Sequence, residues 1–570
     1  MKYFTYIETN LFKRSETTAK EKQMKSIGKR STIWMLIILL IITSLSVSCT
    51  QKKSSSPLSG DKVIEASNAK ETLKIVSGSE NKILEPILNQ FSKEKKINIV
   101  IDYKGSLDIM RLLEADVVEY DAVWPASSLW ISVGDSRHRV KHMQSTSITP
   151  IVFGIRHSLA EQLGFIGRDV KVSEILQAIE KKQLKFTMTS ATQSNSGASA
   201  YIGFIYALLG NPDIITSEDL DNPALKQDLT NLLSGVERSS GSSDWLKDLF
   251  LAGNFDAMVN YEALVISANQ TLEKEKRETL YAIYPVDGLM IADSPLGFIS
   301  QNGVKNRDEK SKEESFLELQ KYLMSDKVQA EIQKTGRRTG YSGVDASNKN
   351  IFRADWGIDT NRILSTINMP KSDVLLKALN AYQSEFKKPG YNVYVLDFSG
   401  SMSGDGHEQL MAALEQVMKR DLAAKNFLQA SDNEINRVIL FNDSIIFDKT
   451  SKGSKEFEDV FGKIKKVFPQ NGTALYTTTI KALNDLKSVD FSQYSPAILL
   501  LTDGKNNGID SLRDLKRFYE DNGFSVPIFS ILFGDADDQE LEQIAEFSKA
   551  RVFDGRKDLI NAFKSVRGYN

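Results

Sequence analysis

Asp397-Phe398-Ser399-Gly400-Ser401 directly follows the apolar run Tyr391 to Leu396. The run reads as a buried strand and the five residues after it as the loop where that strand ends. The loop has the form D-x-S-x-S: one carboxylate and two hydroxyls, all hard oxygen donors. Such donors suit Mg²⁺ or Mn²⁺ rather than zinc, which prefers Cys and His. One carboxylate among neutral hydroxyls does not cancel a 2+ charge. An acidic group from another molecule would supply the missing negative ligand, which makes the loop a candidate adhesive metal site.

Two later segments complete it. Asn471-Gly472-Thr473-Ala474-Leu475 is a turn into a helix predicted over Tyr476 to Leu486, and it offers the Thr473 hydroxyl. Ala497 to Leu501 is an apolar strand running into Thr502-Asp503-Gly504, which offers a second carboxylate. Asp397 and Asp503 then lie at the carboxyl ends of parallel strands. Ligands bind at that edge of an open α/β sheet because loops diverge there and helix N-termini point inward. A hairpin around Asn442-Asp443, a core strand over Val526 to Phe533, a helix over Asp538 to Phe547, an edge strand Arg551-Val552-Phe553 and a last helix over Leu559 to Val566 fit a doubly wound sheet.

D-x-S-x-S, G-T and T-D-G, in that order, resemble the von Willebrand factor A (VWA) family and its metal-ion-dependent adhesion site, over essentially all of 390–570. The resemblance implies a Rossmann-like domain. Ser399, Ser401 and Thr473 would contact the ion through their hydroxyls, and Asp397 and Asp503 directly or through water. The ion would be Mg²⁺ (or Mn²⁺), and a protein partner would supply an acidic residue to it. His407 reads as a solvated loop histidine rather than a further ligand. In adhesive members the last helix moves with the metal loops; the expectation here is that such a movement has no downstream domain to reach.

Composition bounds the rest. A chain of 570 residues is too long for one hydrophobic core, so several domains are expected. Hydrophobic residues at 41% and charged residues at 26% are ordinary for folded protein. A net charge of −2 gives no electrostatic case for nucleic acid. Four histidines and one cysteine build neither a zinc cluster nor an internal disulfide. Near the metal loop there is no nucleophile–base pair and no positioned general base, so the expected class is a binding protein and not an enzyme.

Lys25, Lys29 and Arg30 precede the apolar run from Ile33, which extends through Leu45 and Val47 to Cys49. Charge, a short apolar core and small residues make an export signal. A cysteine there, followed by Gln51-Lys52-Lys53-Ser54-Ser55-Ser56, resembles a bacterial lipoprotein signal, which implies lipidation of Cys49. Ser46 stands where an aliphatic residue is usual in that signal. The alternatives are an uncleaved membrane anchor and an ordinary cleaved signal. All three place the remainder outside the cytoplasm; the expected location is the cell envelope, membrane-anchored, at the outer face of the cytoplasmic membrane or in the periplasm. Either Met1 or Met24 is the start.

The domain reading is a signal or anchor over 1–49, a flexible tether over 50–70, a first folded domain over 71–345, a linker or closing segment over 346–389, and the second domain over 390–570. In the first domain, strands at Leu73 to Val76, Ile97 to Tyr103 and Asp121 to Trp124 alternate with helices, implying a mostly parallel sheet. Phe316 to Gln333 reads as one long amphipathic helix.

Ile75-Val76-Ser77-Gly78-Ser79, Asp121 to Ser128, Gly253 to Glu262, and Asp326 to Arg338 resemble extracellular solute-binding proteins of the molybdate and sulfate type. The resemblance implies two α/β lobes closing on an oxyanion or other small solute. Ser79 and Ser127 or Ser128 would face it from one lobe, and Ser196 and Tyr261 from the other. Serine before a helix is also an ordinary N-cap, and Glu80 would oppose an anion if its carboxylate faced the cleft. The expected function is a membrane-tethered binding protein with two recognition modules. The alternative is the solute-binding component of an ABC-type importer whose second domain only docks it.

Overall fold

The computed structural model describes residues 62–301, 307–340, 344–361, 364, 367–503, 505–534, 538–556 and 558–569. The signal segment with Cys49 and the apolar run from Ile33 lie outside the described residues. Among those described, no helix is long and apolar enough to cross a membrane.

The first domain has two lobes, each built on a mixed sheet. Lobe one uses β1 (Lys62–Ile64), β2 (Glu71–Gly78), β3 (Ile97–Lys104), β4 (Ala122–Trp124) and β5 (Val140–Ser145). Lobe two uses β6 (Thr149–Arg156), β7 (Phe186–Thr189), β8 (Val236–Ser240), β9 (Ala257–Tyr261), β10 (Leu280–Ile283) and β11 (Ile291–Ala292), after which β12 (Pro295–Ile299) returns to lobe one. The strand orders are β1-β3-β2-β4-β12-β5 and β10-β6-β9-β7-β8, with β11 beside β6. Period-2 patterning sets the faces: Ile97, Ile99 and Ile101 of β3 point into a core with Leu73 and Ile75.

Three expectations need correction. The sheets are not mostly parallel: β2 runs parallel to β3 and β4, but β12 is antiparallel to both β4 and β5. The chain leaves lobe one through β5 and re-enters through β12, and a strand arriving from the other lobe points the opposite way. Residues 62–64, assigned to the tether, form β1, because Ile64 is buried against the lobe-one core. The long helix over Phe316 to Gln333 is two helices, Glu309–Leu323 and Asp326–Gln333, broken where Ser325 turns extended.

Strand crossings near Thr146 and Ser294 join the lobes, and Arg338 pairs with Ile148 beside them. Arg338 also forms a wholly buried ion pair with Glu262, at 2.7 Å. The closing segment packs as structure: Phe352, Trp356 and Ile358 are buried in lobe two. Helix Ser372–Ala381 lies on helix Asn195–Leu208, where the Tyr201 hydroxyl donates to the Ala378 carbonyl at 3.0 Å.

The second domain has β13 (Gly390–Asp397), β14 (Ile435–Phe441), β15 (Ile445–Lys452), β16 (Ser495–Thr502), β17 (Ile528–Leu532) and β18 (Val552–Asp554), ordered β15-β14-β13-β16-β17-β18. Only β15 runs antiparallel within this order. Alternate residues of β13 enter opposite cores: Tyr394 and Leu396 one, Val393 and Val395 the other. Both faces are covered, so the strand reads as a continuous apolar run. The last helix, Leu559–Gly568, is followed by Tyr569, whose ring stacks on Trp245 of lobe two at 5.1 Å between centroids. The end of this helix therefore packs against the first domain, which lies upstream in the chain.

Candidate functional site

The five metal-loop residues gather at one edge of the second domain's sheet. β13 ends on Asp397, which is fully buried, and its register with β16 brings Asp503 to the same edge. The Ser399 N–H donates to Asp397 Oδ1 at 2.8 Å, and the Thr502 hydroxyl to Oδ2 at 2.6 Å. The Ser399 and Ser401 hydroxyls lie 3.0 Å apart, and Ser401 donates to Asp503 Oδ1 at 2.9 Å. Carboxylate and hydroxyl oxygens gathered at one sheet edge are the donors that hard divalent cations take. The donor set therefore fits a small hard cation.

Thr473 is buried on the neighbouring loop, just before helix Leu475–Leu486. Its N–H donates to Asn507 Oδ1 at 2.6 Å, and the Gly400 N–H donates to the Asn471 carbonyl at 2.9 Å, so the three loops are laced together. Burial pushes the Asp397 carboxyl above its ordinary value, against the lowering bonds from Ser399 and Thr502. Among the described residues, no three His, Cys, Asp or Glu side chains form a metal-holding group. That is consistent with a set of two carboxylates and three hydroxyls. Ser401 is exposed while Asp397 and Ser399 are buried, so the group opens to solvent at one end.

His407 is not a solvated loop residue. It lies in helix Asp405–Met418, edge-on to Phe398 at 5.5 Å and beside Phe468 at 6.1 Å. Phe468 is 65% exposed, and Ile509, on the loop after Asp503, is 98% exposed. Both lie on loops that carry cluster residues, Phe468 ahead of Thr473 and Ile509 after Asp503.

In the first domain the predicted cleft residues behave differently from one another. Ser79 reaches Ser242 of lobe two across the cleft, hydroxyl to hydroxyl at 3.4 Å. Ser127 is an N-cap, its hydroxyl accepting from the Leu129 N–H at 3.3 Å, and the Ser128 N–H donates to Asp293 Oδ1 at 2.8 Å. Ser196 is fully buried, bonded to Thr189 and Ser243, each at 2.7 Å. The Tyr261 hydroxyl accepts from Asn195 Nδ2 at 3.1 Å.

Several cleft groups escaped the sequence reading. Ser242 and Ser243 belong to Ser239-Ser240-Gly241-Ser242-Ser243, a Ser/Gly run before a helix like the one at Gln193 to Ser199, and that likeness was the available signal. Arg337, 3% exposed, donates to Asn81 Oδ1 at 2.9 Å, to the Ser147 and Ser294 hydroxyls at 3.2 Å and to the Glu80 carbonyl at 2.7 Å. Glu80 Oε1 is buried with no hydrogen-bond partner. Burial raises the Glu80 carboxyl above its usual range, with Arg337 pulling the other way. Glu80 adjoins Ser79 at the rim, so in its charged form it would oppose an anion there, while the same burial favours its neutral form.

Residues 73–338 match the family model for bacterial extracellular solute-binding proteins, and residues 393–561 match that of the von Willebrand factor type A domain. Among solved structures, the periplasmic binding protein AfuA from Actinobacillus pleuropneumoniae, with exogenous fructose-6-phosphate bound, is 12% identical with a TM-score of 0.39, covering 56% of this chain and 99% of its own. The sulfate-binding protein SubI from Mycobacterium tuberculosis is 14% identical with a TM-score of 0.35, covering 54% and 96%. A ferric binding protein from Campylobacter jejuni is 13% identical with a TM-score of 0.37, covering 54% and 98%. No curated protein matches the chain.

Proposed function

We propose that this chain, which joins an extracellular solute-binding domain to a VWA domain, is a membrane-tethered binding protein of the cell envelope that grips a protein partner through a divalent cation. The observation that carries this reading is the hydrogen-bonded series at one sheet edge, from Asp397 through the Ser399 backbone to the Ser399 and Ser401 hydroxyls and Asp503. Asp397, Ser399, Ser401, Thr473 and Asp503 would hold the ion, Mg²⁺ or Mn²⁺. The ion, when bound, supplies a coordination position for a carboxylate of the partner. The exposed Phe468 and Ile509, on loops that carry two of these residues, suit apolar residues flanking that acid. Cys49 would carry the lipid, and the cleft of the first domain would hold a small solute against the serines of both lobes.

The deciding experiment is capture from the native cell envelope by the full chain, with Mg²⁺ and with EDTA. A partner is expected that is retained only with Mg²⁺ and lost in Ser399→Ala and Asp503→Ala. Capture that survives EDTA ends the adhesion reading. For the cleft, a thermal-shift panel of sulfate, phosphate, glucose and glycine is expected to give at least one stabilising solute.

A further inference from the structure

The junction between the two domains runs into the rim of the cleft. The loop Gly241–Ser243 has two faces. On one, the Ser242 hydroxyl meets Ser79 of the opposite lobe, and Ser243 meets Ser196. On the other lies Tyr569. Its ring is so close that a Cβ added at Gly241 would sit 2.3 Å from Cε2. Its hydroxyl accepts from Arg551 at 3.2 Å. Gly568 packs on Gln193 in the same way, where an added Cβ would lie 2.2 Å from the side-chain amide carbon. Gln193 begins the other serine loop. Both cleft loops of lobe two are therefore backed by the last two residues of this helix end, and only glycine allows backbones and rings to approach so closely.

The backing is itself anchored. Tyr569 is 4% exposed, enclosed by Trp245 and Phe553 at 5.1 Å and Phe529 at 6.2 Å. Arg567, just before it, is buried in an ion pair with Glu434 and also donates to the Leu428 carbonyl. The second domain reaches lobe one as well: the Arg111 guanidinium lies over the Phe427 ring at 5.4 Å.

We infer that the solute cleft is a composite site, in which Tyr569 of the second domain is a positioning residue for the serine loops of lobe two. The inference rests on the reading of the cleft as a solute site. A Ser/Gly loop has little stiffness of its own, and hydroxyls hold a polar solute well only when their positions are fixed beforehand. The Tyr569 ring fills the space into which Gly241 would otherwise relax, and so fixes the loop that carries Ser242. By linkage, a solute that orders the loop also holds the helix end, and a force that moves the helix end loosens the cleft.

Hydrogen–deuterium exchange on the full chain tests this without knowledge of the solute. In Tyr569→Ala, exchange of residues 238–246 and 190–199 is expected to rise about tenfold, while β3 and β13 keep wild-type protection. Tyr569→Phe, which keeps the ring, is expected to keep wild-type exchange in both segments. Gly241→Ala, which drives a methyl into the ring, is expected to reproduce the alanine pattern and decides the matter if Tyr569→Ala misfolds. Wild-type exchange at 238–246 in both Tyr569→Ala and Gly241→Ala overturns the inference. The second arm is the same panel of sulfate, phosphate, glucose and glycine. A solute that stabilises wild type is expected to bind Tyr569→Ala at least about tenfold more weakly, and equal binding overturns the inference. A panel with no binder, alongside the expected exchange pattern, removes the solute reading and leaves the shared packing standing.

Discussion

The metal loop and the cleft treat buried charge in opposite ways. Around the cleft, charge is answered from within: Arg338 by Glu262, and Arg337 by hydroxyl, amide and carbonyl oxygens. Ser79 and Ser242 meet across the lobes, and Ser194, Ser196 and Ser243 bond to one another within lobe two. At the metal loop, Asp397 is buried and held by neutral donors. A site that satisfies itself is stable when empty, and a solute must displace bonds already made. A site that holds a carboxylate among neutral donors leaves its charge to be answered from outside, which is where the proposed cation would act. Glu80 is the cleft's exception, with an oxygen left unanswered.

The widest break in this contrast would come from the hinge pair. Glu262→Gln leaves Arg338 buried and uncompensated, and is expected to cost ~3–5 kcal/mol in urea unfolding. A loss under ~1 kcal/mol would mean that the pair does not answer the charge. Next is metal response. Mg²⁺ at a hundred times its Kd is expected to stabilise the wild type by about 2.7 kcal/mol and Asp397→Asn hardly at all. Identical melting in Mg²⁺ and EDTA would erase the difference between the two regions.

Lys387, at the join between them, is a sharper probe. Burial, with Arg567 nearby, pushes its pKa down to about 8, Glu434 acting the other way. Between that value and the unfolded value near 10.4 the unfolded chain binds the proton that the folded chain gives up. Stability from this group therefore rises with pH across that window, and its cost is fully present at pH 7. Lys387→Met is expected to gain on the order of 1–2 kcal/mol at pH 7 and to lose that gain above about pH 10. The smallest effect is Glu80→Gln. It is expected to change stability by no more than about 1 kcal/mol but to improve sulfate binding in the thermal-shift panel. Weaker sulfate binding would show that the carboxyl does not oppose anions.

The second domain was legible because its evidence is local. Each metal-loop segment is contiguous and follows an apolar strand, and a strand covered on both faces announces itself as an unbroken run. The first domain was legible as a class but not as a topology. Nothing in β5 or β12 states that the chain has visited another lobe between them, and that visit sets their antiparallel direction. Ser127 shows the limit at single residues, since an N-cap and a ligand-facing serine look alike in sequence. Arg337 shows another: its partners Asn81, Ser147 and Ser294 come from distant segments, so no local pattern names it. The contact of Tyr569 with Gly241 is longer-range still.

The hinge has a mechanical consequence. In any rotation of one lobe against the other, a point moves in proportion to its distance from the axis. Arg337 clamps Ser147 and Ser294 where the chain crosses between lobes, so it sits at the fulcrum and keeps its bonds through the swing. The same guanidinium holds the Glu80 carbonyl, so Ser79 stays with the fulcrum, whereas Ser242 belongs to the other lobe and swings against it. At 3.4 Å the Ser79–Ser242 contact has little slack, which makes it the first bond such a rotation would part.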